Sequence, residues 1–90
     1  MAPYNAVKSN TYSGRNAVRL FMQGLKRGYT DPRWATARQI KEMQGHIRKD
    51  EHGTGILYYG QRLVIDDDGT EKMRGVVRHY YVFNIEQTNL

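Results

Sequence analysis

Thr54-Gly55-Ile56-Leu57-Tyr58-Tyr59-Gly60-Gln61-Arg62-Leu63-Val64-Ile65 and Arg74-Gly75-Val76-Val77-Arg78-His79-Tyr80-Tyr81-Val82-Phe83-Asn84-Ile85 are two runs rich in Val, Ile, Leu and Tyr. Between them lies Asp66-Asp67-Asp68-Gly69-Thr70. Branched and aromatic residues bounded by turn formers describe β-strands, and a glycine in the loop supplies positive φ. The two runs therefore read as an antiparallel hairpin. In the second, Val77, His79, Tyr81, Phe83 and Ile85 share one face, and Val76, Arg78, Tyr80, Val82 and Asn84 share the other. The first set is expected to face the core. The first run is apolar on both sides, so its inward face stays open.

Upstream of Gly53 the period is helical. Val18, Phe21, Met22 and Leu25 fall at i, i+3, i+4 and i+7, which predicts a helix from Gly14 or Arg15 to Lys26 with those four as its buried stripe. Arg15, Arg19 and Lys26 lie within about 40° of one another on the helical wheel and form a basic edge beside it. Gly28 is placed to stop the helix in the left-handed conformation. Asp31-Pro32 marks a turn, and Thr36-Ala37-Arg38-Gln39 reads as a capping box that opens a second helix of about nine residues, with Ala37, Ile40 and Met43 or Gln44 inward and Gly45 at its end. Residues 1–13 are polar and turn-rich, held by Tyr4 and Tyr12.

The stretch from Gly28 to Gly53 interleaves rings and cations: Tyr29, Arg33, Trp34, Arg38, Lys41, His46, Arg48 and Lys49. A ring offers its face to an unpaired base while a nearby cation meets phosphate, a mixture that suits single-stranded nucleic acid. Charge is uneven along the chain. Up to Lys49 ten Lys and Arg stand against two acids, and from Asp50 onward four stand against seven, for a net charge of +5. That asymmetry favours a sited polyanion contact in the first half, with a solvated basic face as its bland counterpart. Trp34 divides evenly between core and stacking platform; its place between Arg33 and a helix start inclines it toward partial exposure beside a bound strand.

Ninety residues allow one domain with a modest core, burying roughly 60–65% of the unfolded chain's surface. No cysteine is present, which removes disulfides and thiolate metal sites and agrees with a cytoplasmic protein. No apolar run approaches the ~20 residues a membrane span needs, and the first residues do not resemble a signal peptide. His46, His52 and His79 lack metal-ligand spacing, the three aspartates lack the pattern of a calcium loop, and no nucleophile stands with a base. Neither a cofactor nor an enzymatic activity is expected.

Tyr12-Ser13-Gly14-Arg15-Asn16, Asp31-Pro32-Arg33-Trp34-Ala35-Thr36-Ala37-Arg38-Gln39, Gly45-His46-Ile47-Arg48-Lys49 and Tyr81-Val82-Phe83-Asn84-Ile85-Glu86-Gln87 come in one order over nearly the whole chain. Together they resemble the N-terminal domain of the ArdC antirestriction proteins and the related start of the TraC plasmid primases. The resemblance implies a single-stranded DNA-binding domain of conjugative plasmids and other mobile elements, which protects incoming DNA from restriction. In ArdC it precedes a zinc metalloprotease-like domain bearing a His-Glu-x-x-His motif that has no counterpart here, so peptidase and primase activities are not carried over. Two departures stand out. Lys49-Asp50-Glu51-His52-Gly53 replaces the family's Lys-Gly-Glu-Lys-Gly turn, and the family's further Trp-containing segment is missing upstream of Pro3, as expected of an excised domain or a minimal homologue.

These readings converge on an α+β domain over residues 1–90, two short helices packed on a small antiparallel sheet with a long C-terminal hairpin. Its expected function is non-enzymatic binding of single-stranded DNA with little sequence preference, beside a fused or separate protease-like or primase domain. Arg15, Arg19, Arg33, Arg38, Arg48 and Lys49 are the expected phosphate contacts, Trp34, Tyr58 and Tyr80 the stacking candidates, and Arg78 a further expected DNA-binding residue. Asn16, Thr36 and Gln39 divide between contact and structure. The alternatives are a module for structured RNA or duplex DNA, and a protein-interaction domain that inhibits a restriction enzyme.

Overall fold

The computed structural model describes residues 2–90. Strand β1 (Tyr4–Asn5) leads to helix α1 (Gly14–Arg27), strand β2 (Arg33–Thr36), helix α2 (Ala37–Glu42) and the long strands β3 (Thr54–Ile65) and β4 (Glu71–Asn84), followed by a 3-10 turn over Ile85–Gln87. The sheet order is β1-β2-β4-β3. The architecture is α+β as expected, with one refinement: β1 runs parallel to β2 because α1 is the crossover between them.

The predicted hairpin is present: β3 keeps the expected bounds, while β4 starts three residues earlier than expected, at Glu71, and stops one earlier, at Asn84. β3 and β4 pair without interruption from Thr54↔Val82 to Ile65↔Glu71. At the tip Gly69 adopts φ 83°, and Asp68 accepts from the Thr70 N–H; hydrogen bonding from the Thr70 side chain first, and from this N–H second, lowers its carboxyl below the ordinary aspartate value. Only the base of the hairpin joins the sheet, since β2 pairs with β4 from Trp34↔Asn84 to Thr36↔Val82. Beyond Tyr58 and Tyr80 the strands continue as a two-stranded arm. Its projection explains a radius of gyration of 16.2 Å and a long axis of 53 Å, against about 12 Å for the radius of a compact chain of this length. A ribbon with no third strand is marginal. Hydrogen exchange should therefore be at least about tenfold faster between Gly60 and Val76 than at Leu20, Ile56 and Val82, and uniform protection would contradict the arm's independence.

The core holds Tyr12, Leu20, Trp34, Ile56 and Val82, with Ala17 and Tyr29 packed against it. This reverses the expected side of β4: Val82 and Asn84 point inward, whereas Tyr81 and Val77 are exposed. Two causes combine. Along the arm neither face has a core to meet, so the alternation there reports no inside. At the base, buried Asn84 is fully used, its main-chain N–H donating to Gln87 Oε1, its Nδ2 to the Asp31 carbonyl and its Oδ1 accepting from Glu86. A polar residue so satisfied costs little inside.

Helix α1 also turns its predicted stripe the other way. Leu20 is fully buried, while Val18 and Leu25 are 63% and 64% exposed and Phe21 and Met22 face outward with them. The reason lies in the free edge of β3, whose main-chain groups need partners. Asn16 Nδ2 donates to the Leu57 carbonyl at 2.6 Å, Asn16 Oδ1 accepts from the Leu57 N–H at 2.9 Å, and Arg19 Nη1 donates to the Gly55 carbonyl at 2.9 Å. Polar side chains thus face the sheet edge, and apolar ones are left outside. The helix ends as predicted at Gly28, with φ 75°.

Thr36 and Gln39 form the predicted capping box: Thr36 Oγ1 accepts from the Gln39 N–H at 3.2 Å, and Gln39 Oε1 accepts from the Thr36 N–H at 3.0 Å. Gln39 Oε1 also accepts from Asn5 Nδ2, which ties β1 to α2. Ile40 is buried as expected. The helix is shorter than predicted, stopping at Glu42, because Gln44 and not Gly45 takes the left-handed φ of 63°. Gly45 answers to close approach instead, since a Cβ there would lie 2.6 Å from Leu90 Cγ. Thr36→Ala should lower stability by about 0.5–2 kcal/mol, read by thermal melting, and an unchanged curve would remove the cap from the balance.

Candidate nucleic-acid interface

Residues directly opposite in an antiparallel ladder share a face. Ile56 lies opposite Tyr80, Tyr58 opposite Arg78, Arg62 opposite Arg74 and Val64 opposite Lys72. One face of the arm therefore carries, from foot to tip, Tyr80, Tyr58, Arg78, Arg62, Arg74 and Lys72. At its foot the Tyr58 and Tyr80 rings meet edge to face, 5.6 Å apart at 71°, and remain 43% and 37% exposed. Burial, and then the neighbouring Tyr80, raises the Tyr58 phenol above its ordinary value, so it stays a neutral hydrogen-bond donor.

The cations on this face are poorly neutralised. The ion pairs among the described residues are Arg33–Asp31, Arg38–Glu42 and Lys72–Asp66, leaving Arg62, Arg74 and Arg78 without an acid. Like charges directly opposite each other on a sheet repel, so the Arg62–Arg74 pair destabilises the arm. The reverse face is different in kind. It presents Tyr59, Leu63, Ile65, Met73, Val77 and Tyr81, all exposed.

At the foot of the arm the aromatic pair borders two grooves. One brings Tyr58 and Tyr80 together with Thr36, Arg38 and Gln39, and with Lys8 and Asn10, which sequence reasoning passed over. The other places Tyr58 beside Arg15, Asn16 and Arg19. Nine of the thirteen predicted residues thus collect around the foot of one face, although Asn16, Arg19, Thr36 and Gln39 already hold structural hydrogen bonds. The remaining four lie elsewhere. Arg33 is locked on Asp31, Nη2 to Oδ2 at 2.7 Å, which also holds the Asp31 carboxyl below its usual range. Arg48 donates to the Glu86 carbonyl, and Lys49 follows it, at the end of β4 opposite the arm. Trp34 is only 2% exposed, its ring set edge-on to Tyr29 at 6.1 Å. The expectation of a partly exposed stacking ring is corrected: its position in β2 points it at Leu20, Ile56 and Val82, and burial outweighs the pull of its cationic neighbours.

Arg62, Lys72 and Arg74, which the sequence reading leaves outside the candidate surface, lie on this face too, and a signal for that placement is present in the sequence. They share even numbering with Tyr58, Arg78 and Tyr80 across a hairpin whose register pairs even with even.

The fold and this surface define a small α+β domain whose sheet extends into a basic, aromatic-footed arm. Residues 1–83 match the N-terminal domain of anti-restriction factor ArdC, and the chain belongs to that family. It is similar to the crystal structure of antirestriction ArdC protein from the R388 plasmid in its metal-free form, with 32% identity and a TM-score of 0.91 over 99% of this chain and 32% of that one. Against the Mn(II)-bound form the identity is 29% and the TM-score 0.76, over 100% of this chain and 31% of that one. An Escherichia coli DNA primase TraC is 37% identical over 57 residues, 63% of this chain and 5% of the primase. The uncharacterized protein y4eC of Sinorhizobium fredii (strain NBRC 101917 / NGR234) is 28% identical over 97% of this chain and 31% of its own length. The chain thus spans about a third of the ArdC structures and a twentieth of the primase. It is an antirestriction-family domain related to plasmid-associated proteins. No helix among the described residues is long and apolar enough to cross a membrane.

Proposed function

We propose that this domain binds single-stranded DNA with little sequence preference and performs no chemistry of its own. The observation that carries the proposal is the segregated face of the arm, where Arg62, Arg74 and Arg78 lack acidic partners and lead down to the Tyr58–Tyr80 pair. A strand laid along this face sets its phosphates against the three guanidiniums. Its bases meet the tyrosines, where stacking contributes about 1–3 kcal/mol per base. Guanidinium suits this role because its donors match phosphate geometry and its charge does not titrate. In relatives of greater length the domain would present DNA to a neighbouring protease-like or primase segment in the cytoplasm.

A two-stranded ribbon also fits the major groove of duplex DNA, and this is the specific rival. The exposed ring pair at the foot favours the single strand, since stacked base pairs have no free face to offer it. Inhibition of a restriction enzyme by imitating DNA requires an acidic surface, which this face is not. Fluorescence titration against matched single-stranded DNA, duplex DNA and RNA at two salt concentrations tests the proposal. Tightest binding to the single strand, weakening with salt by about 0.7 log units in affinity per log unit of salt for each phosphate engaged, supports it. Equal or tighter binding to duplex, or no dependence on salt, contradicts it.

A further inference from the structure

We infer that the groove at the foot of the arm is a pocket for one unpaired nucleobase turned out of the strand; this rests on the single-strand reading and adds a base-dependent subsite to it. The groove is bounded on one side by the Tyr58–Tyr80 pair, with Ile56 and Val82, each 1% exposed, at its floor. These supply a flat apolar wall for a heterocycle. Tyr12 and Thr36 line the same groove. Tyr12 Oη accepts from Asn5 Nδ2 at 3.0 Å and Thr36 Oγ1 accepts from the Gln39 N–H at 3.2 Å, so each hydroxyl is already an acceptor and keeps its own proton to give. Burial raises the Tyr12 phenol above its ordinary value, against a smaller lowering by the Asn5 bond, and that proton stays in place.

A wall of donors matches the carbonyl oxygens and ring nitrogens along the edge of a base. Asn10 stands exposed at the mouth with no side-chain hydrogen bond among the described residues, and its amide offers both a donor and an acceptor. Lys8 and Arg38 complete the rim as phosphate partners on either side of an inserted base. Arg38 is free to exchange partners, since it meets Glu42 only at 3.4 Å with its side chain 90% exposed. Only an unpaired base has its hydrogen-bonding edge available, and turning one out costs least in a strand that is already single. The pocket therefore gives the domain a reason to prefer single strands that phosphate contacts along the arm do not provide.

The test compares, on the whole chain, an oligothymidylate of about twelve nucleotides, within the usual span of single-strand sites, and an abasic deoxyribose-phosphate strand of equal length. The abasic strand should bind about tenfold or more weakly. Asn10→Leu crowds the mouth from an exposed position with a side chain that offers no ring to a base, and should bring oligothymidylate down toward the abasic level with little change for the abasic strand; Asn10→Ala should give a smaller loss of the same kind. Equal affinity of the two strands for the parent protein overturns the pocket and the stacking on Tyr58 and Tyr80, and leaves the arm's phosphate contacts standing. A base-dependent difference that survives Asn10→Leu undiminished assigns it to stacking on the arm and also overturns the pocket. No binding of oligothymidylate at low salt removes the single-strand reading itself, and the pocket with it.

Discussion

Replacing Arg62, Arg74 and Arg78 together by glutamine is expected to lower affinity for single-stranded DNA by about a hundredfold at 0.1 M salt. Each phosphate contact contributes about 0.7 to the logarithmic salt slope, which at that concentration is worth about fivefold, and three contacts multiply. The slope itself should flatten by about 2. The three side chains are exposed on the arm and without acidic partners, so the fold should survive their loss. Arg33→Gln with Arg48→Gln is the comparison. Both remove the same kind of charge from residues already held by Asp31 and by the Glu86 carbonyl, and the expected loss is under about threefold. Equal losses per charge from the two sets would reduce the arm to a share of net charge.

Trp34→Ala should do the opposite, damaging the fold and sparing the ligand surface. A ring 2% exposed between Leu20, Ile56 and Val82 leaves a large cavity when truncated, at a cost of about 3–5 kcal/mol. For a domain of this size each kcal/mol moves the melting temperature by about 4–8 °C, so a fall of roughly 15–30 °C is expected by calorimetry. The intrinsic emission of the parent protein should change little on saturation with single-stranded DNA, because the ring does not meet the strand. A variant that melts like the parent but loses affinity would return Trp34 to the binding surface.

The elements with local signals could be read directly from the sequence. Gly28 closed α1, Thr36 and Gln39 opened α2, and the hairpin followed from its composition and its Asp-rich tip. The faces could not be read in the same way. Hydrophobic periodicity assumes that the apolar side of an element meets a core, and both long elements break that assumption. On α1 the demand of the β3 edge for hydrogen bonds drew Asn16 and Arg19 inward. On β4 most of the strand lies beyond the core altogether. The charge balance hides the arm's cations for a related reason. In the second half Asp66, Asp67, Asp68 and Glu71 at the tip cancel the four cations and Asp50, Glu51 and Glu86 make the total acidic, while those four cations align on one face of the arm. Running totals average over chain position, whereas a ligand meets a face. Conversely, Tyr58, Arg78 and Tyr80 are candidates from the sequence that the structure places on one face of the hairpin, and the alternation that joins Arg78 to Tyr80 extends to Arg74 and Lys72.

The most direct measurement is photocrosslinking of the whole chain to a single-stranded oligonucleotide carrying 5-iododeoxyuridine, with the adducts mapped by mass spectrometry. DNA bound along the arm predicts adducts at Tyr58 and Tyr80, suppressed by competing unlabelled strand and lost when Arg62, Arg74 and Arg78 are neutralised. Adducts confined to residues 14–27 or 45–52, with Tyr58 and Tyr80 unmodified, would contradict it.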